Sequence, residues 1–280
     1  MRLRITVPGT LLYVLLGLLA LTTLFPILYT VLSSFKSNME VMASSSLLPS
    51  RFDFGNYVEA WKLGNFDLYT WNSIYMAFFI VLGTIVSSTA GGYVFARGRF
   101  PGKNAIFLVL VSSMFISAGT LYLYPQLIVA KMFHLHTSLW GVIIINILGF
   151  NITQLYVARR YIDTISPEID EAAKVDGCSF FRIYWNIIFP LVKPLIATIG
   201  LLSFMNSWND YLLPMVFTIG SPDSVPLIVG VVSLKSQGEL VSAWHLMLAG
   251  TTLSLVPMLA VYLFLNRFFV AGLTNGAVKG

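Results

Sequence analysis

Five stretches of this 280-residue chain, at 5–35, 68–96, 104–130, 132–158 and 240–266, each run for at least 27 residues without an Asp, Glu, Lys or Arg. A helix needs only about 20 apolar residues to cross the hydrocarbon core of a bilayer. A sixth stretch, 194–222, is broken by a single charge, Asp210. In lipid every backbone N–H and C=O must find its partner within the protein, which restricts spans to helices or a closed barrel. A barrel would need strands of about 10 residues in strict alternation, and these continuous runs lack it. The composition agrees: 57% hydrophobic and 10% charged residues, with mean hydropathy +0.80, is too apolar for a soluble domain of this length. The expected fold is all-α and integral to the membrane, with six spans near 10–32, 72–96, 105–129, 138–158, 195–217 and 245–266.

Orientation follows from the basic residues. With the N-terminus inside, the cytoplasmic segments hold Arg2, Arg4, Arg97, Arg99, Lys103, Arg159, Arg160, Lys174, Arg182, Lys193, Arg267 and Lys279, while the outside holds Lys36, Arg51, Lys62, Lys131 and Lys235. Twelve against five is a positive-inside bias. The net charge of +5 therefore reflects topology, and nothing supports nucleic acid as a partner. Arg2 and Arg4 before an apolar run resemble a signal peptide, but the run is too long for an h-region and no small-x-small site follows. It reads as a retained anchor. One cysteine, Cys178, excludes an internal disulfide and a Cys-rich metal site.

The segment 33–71 is the longest outside loop, with the Ser- and Pro-containing makeup of a small surface excursion. Between the second and third spans, Gly98 and Pro101-Gly102 supply a tight basic turn. Its GRFPGK string is one residue short of a phosphate loop, and Asn104 stands where Ser or Thr is required. The chain therefore has no nucleotide site, no catalytic constellation and no cofactor of its own. A short polar tail, 268–280, follows the last span on the inside.

The one long polar interruption, 159–194, is built like two short helices. Ser166 is an N-cap, Pro167 sits at the first helical position, and Glu168, Asp170 and Glu171 fill the first turn, where the helix dipole favours acids. Gly177 is a C-terminal stop. Ser179 can cap a second, aromatic helix over 180–188, which Pro190 ends. Short helices of this kind are marginal in water, so they either pack under the spans as a cap or dock on a partner.

The string Glu171-Ala172-Ala173-x-x-x-Gly177, followed by Ile187 and Pro190, resembles the EAA motif of binding-protein-dependent ABC importer permeases. Three further matches resemble the carbohydrate, maltose-permease-like branch: Tyr93-x-x-Ala96-Arg97 through Phe100-Pro101-Gly102, Trp208-Asn209-Asp210 through Pro214, and Gly272-Leu273-Thr274-x-Gly276-Ala277-Val278-Lys279-Gly280. The resemblance covers the chain from about residue 10 to its end. It implies the type I importer fold, with six transmembrane helices and a cytoplasmic coupling-helix loop. It implies an anchor helix and extracytoplasmic loop at 1–71 and a permease core at 72–267 that contains the 159–194 loop. The implied protein is no enzyme. It sits in the bacterial or archaeal cell membrane with both termini cytoplasmic, beside a second homologous permease subunit. Two cytoplasmic ATPase subunits bind the ATP and Mg, and an extracytoplasmic solute-binding protein delivers the carbohydrate. Carried over by position, Glu171, Ala172, Ala173, Asp176, Gly177 and Pro190 would couple to the ATPase. Glu171 would meet a basic group, the alanines would allow close approach, and Gly177 would form the bend between the helices. The tail would reach toward the same interface.

Polar residues inside spans are candidates for a substrate path. Asp210 is the only acid within a predicted span, where a charge at mid-bilayer costs about 2.5–3.5 kcal/mol on insertion scales. Asn206 and Asn209 could bond sugar hydroxyls and Trp208 could stack on a sugar face. Asn146, Asn151 and Gln154 in the fourth span are similar. The same residues could instead bridge helices, with Asp210 near the outer interface. Gly83, Ser87, Ser88, Gly91 and Gly92 are small enough for close helix packing. His134, His136 and His245 fall at outer boundaries. Two other classes have stricter requirements: an integral-membrane enzyme would need a titratable pair or metal cluster, and an ion-coupled secondary transporter would need ionisable relays or broken helices in both halves.

Overall fold

The computed structural model describes residues 9–43, 45–116, 119–149, 151–237 and 242–277. Arg2, Arg4, Lys279 and the last three residues of the tail lie outside them. Fifteen α-helices account for most of the described chain: α1 Gly9–Ser33, α2 Asn38–Ala43, α3 Gly55–Leu63, α4 Phe66–Arg97, α5 Lys103–Ser113, α6 Leu123–Met132, α7 Leu139–Leu148, α8 Ile152–Asp163, α9 Pro167–Val175, α10 Phe180–Ile183, α11 Phe189–Leu191, α12 Lys193–Asn209, α13 Leu212–Thr218, α14 Leu227–Ser233 and α15 Trp244–Ala277. They divide into two compact units, one of 1–67 with 230–256 and one of 68–229 with 257–280.

In the first unit, α1 is apolar on all sides and its most apolar window is entirely unburied, as expected of a helix that meets lipid all round. The segment after it is not an irregular excursion. It folds into α2 and α3 around Phe35, whose ring meets Phe52, Phe54 and Tyr57 at centroid distances of 5.1–5.4 Å. Asn56 donates from Nδ2 to the carbonyls of Ser34 and Lys36, both at 2.9 Å. Asn38 clamps the N-terminus of α15, donating to the Ser242 carbonyl and accepting from the Trp244 amide, each at 3.0 Å. The tail segment up to Ala277 continues α15 as helix.

Three of the expected spans are single helices long and apolar enough to cross a membrane, over Leu11–Ser33, Phe66–Arg97 and Trp244–Phe264. The other three are broken. The 105–129 run divides into α5 and α6, with turns between them and Gly119 at φ +55°. The 138–158 run bends by 43° between α7 and α8. The 195–217 run stops at Asn209 and resumes at Leu212, with Asp210 extended at φ −71°, ψ 116°.

Two cores of the second unit share α4. Met76 and Ile80 pack with Ala130, Leu139, Val142, Ile143, Leu213 and Phe217. Three turns further along, Tyr93 packs with Ala158, Ile162, Ala173, Ile183, Tyr184, Ile188 and Leu195. Small residues let α4 and α8 approach closely. A Cβ built on Gly92 would fall 2.7 Å from Ala158 Cβ and 2.8 Å from the Arg159 amide nitrogen, whereas on Gly91 it would meet only the end of the Leu155 side chain. Asn72 donates to the Asp223 and Val225 carbonyls at 2.8 and 3.0 Å, and Ser73 Oγ accepts from the Leu227 amide at 2.8 Å. These bonds fasten the 222–227 connection to α4.

Gly92 faces backbone, so a methyl there forces the helices apart. Gly92→Ala should lower the thermal midpoint of the detergent-solubilised protein, with a loss of about 1–3 kcal/mol typical of overpacking. Gly17→Ala, whose Cβ would meet nothing within 4 Å, should leave the midpoint unchanged. Equal melting of the two variants would contradict the close approach.

Candidate functional site

The polar loop starts as its residue types require. Ser166 Oγ accepts from the Glu168 amide at 3.3 Å, Pro167 occupies the first turn of α9, and Glu168 and Asp170 lie at its positive end. The helix stops in a Schellman motif. The Cys178 amide reaches back to the Ala173 carbonyl at 2.9 Å and the Gly177 amide to Lys174 at 3.0 Å. That geometry puts Gly177 at φ +79°, where a residue without Cβ is favoured. Ser179 Oγ then accepts from the Arg182 amide at 3.3 Å and opens α10.

Pro190 does not end the second arm. After α10 the winding widens to a π-turn at Tyr184–Ile188, with the Phe189 amide bonded to the carbonyl five residues back. Pro190 follows within α11, and the chain turns by 80° only between Leu191 and Lys193. A proline lacks the amide and clashes with the carbonyl four back in a regular α-helix. The wider turn removes that conflict.

The loop presents two faces. Glu171, Ala172, Asp176 and Gly177 are exposed, together with Val175 at 88% and Phe181 at 72% exposure. Ala173 is on the other face, buried among Tyr93, Ile162, Ile183 and Tyr184, so of the two alanines expected to face a partner only Ala172 is exposed. Burial pushes the Tyr184 phenol above its ordinary pKa, and its hydroxyl shares a 2.8 Å hydrogen bond with Thr89 of α4.

Sequence reasoning missed the strongest polar contact of the loop. Asp170 is buried, and its two oxygens accept from Tyr93 Oη at 2.9 Å and from Arg97 Nε at 3.0 Å. Arg97 Nη2 also donates to the carbonyls of Ile162 and Ile165 at the end of α8. Tyr93 and Arg97 stood in the sequence as motif residues without a role.

A polar cavity of about 710 Å³ lies in the same unit, lined by Asn146, Asn151, Asn206, Asn209 and Asp210 with Thr84, Thr120, Gln126, Ser203 and Ser207. Its size falls within the roughly 300–1,000 Å³ of small-molecule sites. All three broken spans reach it with their breaks: Gly119, Thr120 and Tyr122 from the first, Gly149 and Asn151 from the second, Asp210 and Tyr211 from the third. Asn151 Oδ1 caps α8 by accepting from the Gln154 amide at 3.2 Å. Asn146 and Asn209 each donate one Nδ2 hydrogen to their own helix, at 3.0 and 2.8 Å, and an amide retains further donors and acceptors for a ligand. Gln154 does bridge helices, accepting from Ser203 Oγ at 3.1 Å. Trp208 does not join the cavity. It is buried, stacks on Phe204 at 5.3 Å, and borders a separate apolar groove with Ile74, Phe78 and Pro257. Among the described residues no group of three His, Cys, Asp or Glu could hold a metal.

Residues 89–275 match the family described as the binding-protein-dependent transport system inner membrane component. The maltodextrin transport system permease protein MdxG of Bacillus subtilis (strain 168) is 31% identical over 279 residues, 96% of this chain and 95% of that protein. The galactooligosaccharides transport system permease protein GanQ of the same organism is 30% identical over 272 residues, covering 96% and 94%. The arabinooligosaccharides transport system permease protein AraQ of Halalkalibacterium halodurans is 29% identical over 269 residues, covering 94% and 93%. A crystal structure of a bacterial ABC transporter involved in the import of the acidic polysaccharide alginate contains a chain that superposes with TM-score 0.77 at 25% identity, covering 93% of this chain and 96% of that one. An all-α, multi-pass membrane chain with these matches belongs to the inner-membrane permease family of binding-protein-dependent transport systems, and it is a transport component, not an enzyme.

Proposed function

We propose that the chain is the permease subunit of an ATP-driven importer that moves a neutral carbohydrate delivered by an extracytoplasmic solute-binding protein. The observation that carries this reading is the convergence of three helix breaks on one polar cavity. Irregular backbone inside an apolar run is tolerated only where protein or a watery cavity satisfies it, and here it brings Asn146, Asn151, Asn206, Asn209 and Asp210 together. Amides suit hydroxyl groups, and the oligosaccharide systems of MdxG, GanQ and AraQ point to the same substrate class. The residues outside the described set that adjoin the cavity in sequence, Ser117, Ala118 and Phe150, carry no charge. Among the described residues Asp210 is the one charged side chain in the lining. A sugar carboxylate at about 6 Å from it would be repelled by roughly 3 kcal/mol at an effective dielectric of 20. An acidic glycan is therefore disfavoured on this subunit.

The exposed face of α9, with Glu171, Ala172, Asp176 and Gly177, is the proposed contact for a cytoplasmic ATPase. Val175 and Phe181 beside it are large apolar groups left open to solvent, as a docking surface requires. Pro190 shapes the second arm from behind that face. ATP and Mg belong to two ATPase subunits, a second homologous permease completes the pore, and both termini are cytoplasmic in a bacterial or archaeal cell membrane. Broken helices also favour an ion-coupled secondary transporter. That reading makes Asp210 an ion or proton carrier, yet among the described residues no second charged group accompanies it in the cavity.

Glu171→Ala should weaken retention of the ATPase roughly ten-fold, the scale of one charge-assisted hydrogen bond, as read by co-purification and by ATPase activity in proteoliposomes. Gly177→Pro should act more severely, because proline fixes φ near −65° where the loop needs +79°. Wild-type behaviour of both variants would remove the docking role.

Uptake into vesicles should require internal ATP and should not respond to a proton or sodium gradient. Neutral oligosaccharides should compete for it, and uronic-acid oligosaccharides should not. Asp210→Asn should improve competition by the acidic sugars while preserving uptake. Gradient-driven uptake without ATP, abolished in Asp210→Asn, would establish the secondary transporter instead.

A further inference from the structure

We infer that Asp170, Arg97 and Tyr93 form a positioning latch that makes α4 follow the docking loop, so that a movement imposed on the loop reaches the cavity wall formed by α4. The inference rests on the proposed coupling role of the loop.

The chain itself explains why a latch is needed. Helices α4 and α12 line the cavity, α8 starts from its rim at Asn151, and all three run to this loop. The loop follows α8 after three residues, and its second arm runs into α12 after one. Both are pulled through covalent backbone whenever the loop moves. Helix α4 ends at Arg97, and 69 residues separate it from the start of α9 at Pro167. It can follow only through side chains. Those it offers are spaced four apart on one stripe: Thr89, Tyr93 and Arg97, each bonded to the loop through Tyr184 or Asp170. The ring of Tyr93 also lies 4.5 Å from Phe180 and 5.6 Å from Tyr184.

The chemistry is that of a stiff joint. The Arg97 and Asp170 side chains are only 12% and 4% exposed, so water screens their attraction little. A buried ion pair resists separation because either partner left alone would be an unpaired charge in a poorly solvated site. Both carboxylate oxygens are bonded, one by a guanidinium and one by a phenol, which fixes orientation as well as distance. Arg97 also holds two carbonyls at the end of α8. The one side chain thus ties α4 to the loop and to the helix that leads into it. At the other end, Ile80 and Thr84 of α4 face the cavity. The 13 residues from Thr84 to Arg97 are about 20 Å of helix, without an internal proline or any break. Rigid helix connects latch to cavity.

The test uses the complete transporter, with its partner permease, ATPase and binding protein, carrying Cys178→Ser to silence the native thiol. Single reporters Thr84→Cys on α4 and Asn206→Cys on α12 are labelled with a small charged methanethiosulfonate, with and without trapping of the ATPase by ATP and vanadate. With the latch intact, trapping should change the labelling rate at both reporters. Asp170→Asn should abolish the response at Thr84→Cys and keep it at Asn206→Cys. A response at Thr84→Cys that survives Asp170→Asn, or that is missing with the latch intact while Asn206→Cys responds, would overturn the latch. Silence of both reporters with the latch intact would instead strike at the coupling role of the loop. If Asp170→Asn does not assemble, Tyr93→Phe combined with Thr89→Val removes hydroxyl groups alone from the same stripe. An unchanged Thr84→Cys response there overturns the proposal, and a weakened one supports it.

Discussion

The need to satisfy every backbone N–H and C=O away from water governs this structure. Three apolar runs meet it as unbroken helices. The other three break, and a helix end carries backbone carbonyls and amides without intrahelical partners, which lipid could not accept. Those breaks all border one polar cavity. The cavity and the breaks are thus one feature. Extended backbone at Asp210 lets a carboxylate leave the helix surface, the Asn151 cap restarts α8, and Gly119, Thr120 and Tyr122 line the cavity from the first broken run. Regular helices alone would have left only side chains to line a path.

The loop meets the same requirement differently. A nine-residue α9 and a four-residue α10 have too few internal hydrogen bonds to persist in water. Their stability comes from the core behind them, where Ala173, Ile183, Tyr184 and Ile188 are at most 5% exposed. The capping serines and the Gly177 turn satisfy the helix ends, so the exposed face needs no large side chain for its own sake. Glu171 and Ala172 can then be thin and approachable. The loop is preorganised by the membrane-spanning part of its own unit, and a partner need not fold it.

Much of this was legible in the sequence. Charge-free runs located the apolar segments, and Ser166, Pro167, Gly177 and Ser179 located the loop helices, because capping is local chemistry with few alternatives. The breaks were not legible. A hydropathy window of some 19 residues averages over an interruption as short as Asp210 and Tyr211. Pro190 misled for a related reason: it forbids a regular α-helix, and the π-turn that accommodates it has no simple sequence signature. The misplacement of Trp208 was avoidable. On a helix turning about 100° per residue, Ser203, Asn206 and Ser207 fall within one arc of about 100°, while Trp208 stands about 160° from Asn206. Angular position, applied to the motif, separates cavity from groove. Asp170 was overlooked because three acids in one first turn all suit the dipole, and only the fold shows which one turns inward with Ala173.

One consequence concerns what covers the cavity. Asn206 and Asn209 line it and remain exposed in the isolated chain, although they lie at the end of a helix whose other residues are mostly apolar. An amide moved from water to hydrocarbon without a partner costs about 4–8 kcal/mol, so that side of α12 cannot be left to lipid. Water alone could satisfy the amides only if something kept acyl chains out of the cavity mouth. A protein surface with its own polar face does both, holding water or sugar against the asparagines and excluding lipid. A second permease subunit therefore belongs to the proposed function for a reason internal to this chain. Its charge at that mouth, set against Asp210, would decide how strictly the completed pore refuses acidic sugars.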